Sequence, residues 1–282
     1  MNSIRLGINF RVFFDIIKAM IKIAFFDIDG TLYDNAHQEW KKKSLEAIKK
    51  LQSKGIKCVL CTSRPYHSME RLGTFEQGIV FDGWIGSCGS VTCLGGKIIA
   101  STAMDTDLVR RFAKQCGEDG YTMEVVGVFK RTMLFPQTKE SLGFYEYFKE
   151  SLPEFADYDG SQAVKLNFFA PSVAGEKYEK LFPELTIIEY LPNCFDVMEY
   201  VHQKCEGCQI VLNALGFTKD EAIAFGDDTQ DIAMLESAST FVCMGQGKEN
   251  VKEVASFVTK PVSEDGVYYG LKHYGLIGED DE

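Results

Sequence analysis

No stretch of this 282-residue chain approaches eighteen uninterrupted apolar residues, so a membrane-spanning helix is not expected. Basic charge is scarce: 30 Lys and Arg stand against 41 Asp and Glu, a net charge of −11. That balance argues against a nucleic-acid or anionic-membrane surface and leaves room only for a local basic pocket. The nine cysteines are odd in number and their spacing resembles no disulfide framework, which favours a reducing, cytoplasmic setting. The histidines, His37, His67, His202 and His273, show no metal-ligand spacing. Internal repeats are missing, and low complexity is confined to an acidic tail at Glu279 to Glu282. What remains, 45% hydrophobic and 25% charged, is too apolar for intrinsic disorder and long enough for a substantial core in about two domains.

At the N-terminus Ile4, Leu6, Ile8, Phe10 and Val12 alternate with polar residues or Gly. Arg5, Arg11, Asp15 and Lys18 break the apolar run and no small-residue cleavage site follows, so a signal peptide is disfavoured. Residues 1–19 read as an added strand or helix, or as an upstream start before Met20.

From Met20 strand and helix alternate. Ile21 to Phe26 is a short apolar run that suits a central parallel strand. Leu45, Ile48 and Leu51 mark an amphipathic helix from Trp40, ended near Gly55, and Ile56 to Leu60 is a second strand. This rhythm implies a parallel sheet with right-handed crossovers. From about Gly89 to Leu191 it changes. A hairpin with a Gly95-Gly96 turn is expected within Val91 to Ile99, then a helix over Asp105 to Cys116. Strands near Thr122 to Phe129 and Val164 to Phe169, and a helix over Gly175 to Phe182, complete a separate α+β insert. Tyr121, Phe129, Phe135, Tyr145 and Phe169 are expected in its core. The α/β rhythm returns with a helix after Cys205, a strand Ala222 to Phe225, a helix after Gln230 and a strand Thr240 to Cys243. The chain is therefore read as α/β: a Rossmann-like parallel-sheet core of residues 20–88 and 192–282, interrupted by an insert of residues 89–191.

The sharpest chemical signal is Asp27-Ile28-Asp29-Gly30-Thr31, directly after an apolar strand. Two carboxylates at that position lie in the crevice where open α/β sheets bind ligands. Gly30 permits a sharp turn and can offer its N–H to an anion. One aspartate there can attack phosphorus, and the other can protonate a leaving oxygen and later deprotonate water. An isolated Asp-x-Asp-Gly is otherwise ordinary turn chemistry, so its company matters. Thr62 and Ser63 end the second strand, where a hydroxyl and a backbone N–H suit phosphate oxygens, although such residues usually cap helices. Lys204 can neutralise a phosphoryl group as a point charge. Gly226-Asp227-Asp228-Thr229-Gln230-Asp231 follows another apolar strand and supplies oxygen ligands of the kind Mg²⁺ takes beside a phosphate.

In this order the four elements resemble the haloacid dehalogenase superfamily of phosphotransferases. The large insert and the closing run Met244 to Lys252, Val258-Thr259 and Glu264 to Val267 narrow the resemblance to its Cof-like phosphatases. The resemblance covers Ile21 to about Leu276. It implies a substrate-selecting cap, Asp27 as nucleophile, Asp29 as acid/base, and Thr62, Ser63 and Lys204 at the phosphate. It also implies Mg²⁺ on Asp227, the Asp27 carboxylate and the Asp29 backbone carbonyl, with Asp231 organising the metal shell. Three departures stand out: Gln230 and Gln246 replace the usual asparagines, and Cys88-Gly89-Ser90 stands where Asn-Gly-Ala is common. Glutamine donates the same hydrogen bonds from one methylene further out, so phosphate contacts can shift.

The expected function is Mg²⁺-dependent hydrolysis of small phosphorylated metabolites through an aspartyl-phosphate. Sugar phosphates, nucleotides and cofactor phosphates are the candidate substrates. The alternatives are a phosphotransferase or mutase on the same intermediate, or a catalytically weak binding or regulatory protein of the same fold. A zinc site on Cys58, Cys61, Cys205 and Cys208 is disfavoured, because strand positions three apart point to opposite faces.

Overall fold

A computed structural model describes residues 20–148 and 151–278. The expectations for residues 1–19 and for the acidic tail lie outside the described residues. In chain order the first elements are β1 (Ile23–Phe26), β2 (Tyr33–Asp34), β3 (Glu39–Trp40), α1 (Lys42–Ser53), β4 (Lys57–Cys61) and α2 (Tyr66–Arg71). Then come β5 (Gly83–Gly86), β6 (Val91–Leu94), β7 (Lys97–Ser101), α3 (Thr106–Glu118), β8 (Thr122–Val126) and β9 (Arg131–Met133). They are followed by α4 (Lys139–Phe148), β10 (Glu154–Phe155), β11 (Lys165–Phe169), α5 (Ala174–Leu181), β12 (Thr186–Leu191) and β13 (Cys194–Met198). The chain closes with α6 (Lys204–Leu215), β14 (Ala222–Gly226), β15 (Thr240–Cys243), α7 (Glu249–Lys252), β16 (Phe257–Val258) and α8 (Gly266–His273).

Two units result. The first holds residues 20–64, 72–99 and 203–278, and the second holds residues 65–71 and 100–202. The first is built on an eight-stranded sheet in the order β16-β15-β14-β1-β4-β5-β6-β7. Pairing is parallel from β16 to β5 and turns antiparallel at β5–β6. Every residue of β1 is buried, as a strand covered on both faces requires, and its Phe26 ring stacks on Phe225 at 5.1 Å. Leu45, Ile48 and Leu51 form the buried stripe of α1. Because β1 pairs with β4 on one side and β14 on the other, strand order reverses at β1, the kind of switch point at whose C-terminal end open α/β sheets bind ligands.

The second unit has a six-stranded sheet in the order β10-β9-β8-β11-β13-β12. Strand alternation divides its faces. Met123, Val125, Leu166, Phe168, Phe195 and Val197 pack with Phe112 of α3 and Tyr178 of α5 in one apolar core. Met133, Phe169 and Cys194 meet Phe144 and Tyr145 of α4 in another. Between β8 and β11, Glu124 lies opposite Asn167 and accepts hydrogen bonds from Asn167 Nδ2 (2.9 Å) and Tyr145 Oη (2.7 Å). Those partners, with Arg131 Nε 3.4 Å from the other oxygen, are what permit a fully buried carboxylate there.

The structure moves the expected boundaries. The hairpin of β6 and β7 extends the core sheet, because β6 pairs with β5; the division falls at residue 99, not 89. Residues 192–202 belong to the second unit, because β13 pairs with β11 and β12. Residues 65–71 join that unit too, which local periodicity did not reveal. The helix expected after Gln230 is a 3₁₀ segment, Thr229–Glu236. Phe129 is not core: it is 59% exposed and meets Tyr66 edge to face.

His67 on α2 gives a measurable consequence. Burial, then the charges of Arg131, Lys165 and Arg71, push its imidazole from 6.5 down to about 3. The unfolded chain therefore takes up a proton near pH 6.5 that the folded chain refuses until about pH 3. This contribution to stability is complete above pH 6.5 and is lost as the pH falls towards 3. Between pH 6.5 and 5 the loss is about 2 kcal/mol. His67→Gln is expected to remove that much of the pH dependence in urea unfolding at pH 7 and pH 5. Equal pH dependence in both proteins would contradict the burial of a neutral His67.

Candidate active site

Strand register assembles the site. Phe26 lies opposite Leu60 of β4 and Phe225 of β14. In this register Asp27 stands level with Cys61 and Gly226, the last residues of β4 and β14, and Thr62 and Asp227 follow at the same rim. Asp27 is 5% exposed, and its N–H donates to the Phe225 carbonyl at 3.0 Å. Lys204 is the first residue of α6, where the helix dipole disfavours a cation. Two carboxylates offset this: Lys204 Nζ donates to Asp27 Oδ1 (2.6 Å) and Asp231 Oδ1 (2.5 Å). Asp231 is fully buried, and its other oxygen accepts the N–H groups of Asp227 (2.8 Å) and Asp228 (2.9 Å). One side chain thus ties the β14 loop to Lys204. Gly226 is needed for this packing, since a Cβ there would stand 2.5 Å from Asp231.

The electrostatics are strained towards a cation. Burial raises the Asp27 carboxyl well above its usual range; Lys204 pulls it down, but Asp231 and Asp29 add to the rise. Burial opposes the charge on Lys204, yet Asp27 and Asp231 outweigh it and hold the ammonium well above its usual range. Asp227 is pushed up to about 6 by burial, then by Asp231, with Gln246 pulling the other way. Carboxylate oxygens of Asp27, Asp227 and Asp231 lie within 4.8 Å of one another, the one such metal-capable group among the described residues. Three carboxylates against one ammonium leave negative charge in surplus, and hard oxygen donors are the set that Mg²⁺ takes. The residues present fit a divalent cation. Asp231 is already engaged through both oxygens, so Asp27 and Asp227 are the carboxylates with capacity for it.

The remaining expected residues are placed as follows. Asp29 follows Asp27 by two and is partly exposed. Thr62 is buried; its N–H donates to the Ile85 carbonyl and its hydroxyl accepts from Arg64 N at 3.1 Å, while Ser63 is exposed. Gly30 corrects an expectation: its N–H donates to the Tyr33 carbonyl at 2.9 Å and is not turned to an anion. Glycine is required there for other reasons. Its φ is +75°, and a Cβ would stand 2.2 Å from Asp227 Oδ2. Gln246 donates to the Gly30 carbonyl (2.6 Å) and Asp227 Oδ2 (3.3 Å) and accepts from Val262 N, so it braces the acidic loop. Gln230 is exposed, and its Oε1 accepts from the Cys88 thiol at 3.5 Å.

Sequence reasoning missed Arg64. Its Nε donates to Asp29 Oδ2 and its Nη2 to Asp29 Oδ1, each at 2.6 Å. The available signal was an arginine two residues after Thr62 in the same post-strand turn. The thiols do not gather into one site: Cys61 meets Cys208 at 3.7 Å, whereas Cys58 points to the Ile48 and Ile56 carbonyls. All nine cysteines are free.

A sequence model of the haloacid dehalogenase-like hydrolases matches residues 24–271. The Bacillus subtilis protein named "Putative phosphatase YkrA" is 30% identical over 265 residues, covering 91% of this chain and 98% of its own. The 5-amino-6-(5-phospho-D-ribitylamino)uracil phosphatase YcsE of the same organism is 26% identical over 91% of this chain and 96% of its own. The solved structure of the subclass IIB sugar phosphatase BT4131 superposes with a TM-score of 0.71 at 27% identity, over 91% of this chain and all of the other.

Proposed function

Because the chain belongs to the haloacid dehalogenase-like hydrolases, and is an enzyme of that superfamily, we propose that it is a Mg²⁺-dependent phosphatase of small phosphorylated metabolites. The observation that carries this reading is the convergence of Asp27, Asp227 and Asp231 at the end of β1, with buried Lys204 bonded to Asp27 and Asp231. Asp27 attacks phosphorus, forming an aspartyl-phosphate as the bond to the leaving oxygen breaks. Asp29 gives that oxygen its proton, then takes one from the water that attacks the aspartyl-phosphate and releases inorganic phosphate. Lys204 holds the Asp27 carboxylate in place and offsets charge on the phosphoryl oxygens. Thr62 and Ser63, which follow β4, the strand neighbouring β1, serve as phosphate contacts. Asp27, Asp227 and the Asp29 backbone carbonyl would hold Mg²⁺, with Asp231 ordering that shell. The ion supplies charge neutralisation for an anionic substrate.

Sugar phosphates and 5-amino-6-(5-phospho-D-ribitylamino)uracil are the substrates to test first, since similar proteins are named for them. Nucleotides and cofactor phosphates such as pyridoxal phosphate complete the set. No helix among the described residues is long and apolar enough to cross a membrane. The free cysteines support a cytoplasmic setting.

The test is turnover of p-nitrophenyl phosphate and of this set, with Mg²⁺ and after chelation. Turnover is expected to vanish in EDTA and return with Mg²⁺; full activity in thoroughly chelated enzyme would refute the metal assignment. Asp29→Asn separates the acid/base from the nucleophile. A sugar alkoxide needs a proton to leave and p-nitrophenolate does not. The variant is therefore expected to lose about 10²–10⁴ on alkyl phosphates. On the aryl ester it should give a burst of nitrophenol followed by a slow steady rate. An equally slow release on both esters, with no burst of nitrophenol from the aryl ester, would place Asp29 outside the proton transfer.

A further inference from the structure

Arg64 has no part in the mechanism above, yet it is tied to it more firmly than a surface arginine would be. Both oxygens of Asp29 accept from its fork, at 2.6 Å each, and the two side chains are only 19% and 31% exposed. Bidentate pairing of this kind fixes a carboxylate's plane as well as its position. The arginine is itself held. Its N–H donates to Thr62 Oγ1 at 3.1 Å, and its carbonyl accepts from Ser87 N at 3.0 Å. It also precedes Pro65, whose ring restricts the backbone of the residue before it. Asp29, in contrast, sits in a tight turn in which Thr31, Leu32 and Tyr33 all donate to the Ile28 carbonyl. That turn sets the Asp29 backbone but leaves its side-chain rotamer open.

We propose that Arg64 is a positioning residue that sets the heading of the Asp29 carboxyl group towards the leaving oxygen. The inference rests on the acid/base reading of Asp29 and goes beyond it by naming the group that aims it. To carry a proton to the leaving oxygen, Asp29 is protonated on one oxygen, which turns from the guanidinium to the substrate; the other keeps its bond and the heading, and the first returns to the fork once the proton has gone. Arginine suits this task better than lysine, since only a planar fork constrains both oxygens.

The experiment compares kcat and KM on an alkyl phosphate, and the burst rate on p-nitrophenyl phosphate, for Arg64→Ala, Arg64→Lys, Asp29→Asn and the double variant Arg64→Ala/Asp29→Asn. Arg64→Ala is expected to lower kcat on the alkyl phosphate by about 10–10², the scale of a misaligned reacting group, with KM little moved. Its loss on the aryl burst should be several-fold smaller. Arg64→Lys should fall between wild type and Arg64→Ala. In the Asp29→Asn background, Arg64→Ala should cost no more than about a further twofold, because the group it aims is already gone. A loss of equal size on both esters that adds to that of Asp29→Asn would overturn the proposal and assign Arg64 to the phosphoryl group. Unchanged alkyl turnover in Arg64→Ala would overturn it as well. Two other outcomes remove its premise instead. If Asp29→Asn spares alkyl turnover in an active enzyme, the acid/base assignment falls. If the wild type hydrolyses no phosphate ester, the phosphatase reading falls.

Discussion

Asp27→Asn is expected to abolish turnover of every substrate, with kcat reduced by about 10⁴ or more, the scale on which losing a nucleophile acts. An amide nitrogen or oxygen in that place cannot form and release an acyl phosphate, so no burst of nitrophenol should precede the steady state. The fold should not suffer with it. Burial, together with Asp231 and Asp29, already holds the Asp27 carboxyl well above its usual range against the pull of Lys204. Ionised Asp27 is therefore costly to the folded state in the absence of a cation. Asn replaces it without that charge, while Lys204 keeps its bond to Asp231. The thermal midpoint of the variant in EDTA is expected at or above that of wild type, the trade of stability for activity found at many functional sites. Added Mg²⁺ should raise the wild-type midpoint more than the variant's, since one of the proposed ligands has gone. A nitrophenol burst from Asp27→Asn, with none from Asp29→Asn, would mean that the two roles are reversed.

Lys204→Ala is expected to act on both activity and stability. Losing a preorganised charge at the phosphoryl group lowers kcat by about 10²–10³. The same change leaves Asp27 and Asp231 buried without their shared cation, and breaking a buried pair in this way costs about 3–5 kcal/mol. The two effects can be pulled apart. In Lys204→Met/Asp231→Asn the lysine stem is replaced by a similar volume and one stranded carboxylate is neutralised, so much of the stability should return. Activity should not return, because the charge is still missing. Urea unfolding and kcat at saturating substrate, measured on the same preparations, read out both. If kcat in Lys204→Ala stays within about threefold of wild type, Lys204 serves the fold alone.

Much of this architecture is legible locally. The apolar run before Asp27 suits a strand covered on both faces, and the spacing of Leu45, Ile48 and Leu51 suits a helix with one buried stripe; both form as expected. Strand, helix and strand in succession then imply a parallel sheet with its ligand crevice at the strands' C-terminal ends, which puts Asp27, Thr62 and Asp227 on the same rim. Family resemblance supplied roles to those residues. Such readings succeed because backbone periodicity and turn chemistry act over a few residues, within the reach of a short window of sequence.

Tertiary structure alone decided the rest. Lys204 and Asp27 are 177 residues apart in the chain, and Arg64 and Asp29 are 35 apart. Which partner each meets depends on strand register and on a helix start whose side chain could have turned to solvent. The hairpin at Val91 to Ser101 reads alike in either unit; only its pairing with Gly83–Gly86 assigns it to the core. The Gly30 N–H could serve an anion or a neighbouring carbonyl, and the closing of its turn onto Tyr33 chose the carbonyl. In each case the competing arrangements have the same local sequence signature. They differ only in contacts between segments far apart in the chain, which the folded packing selects.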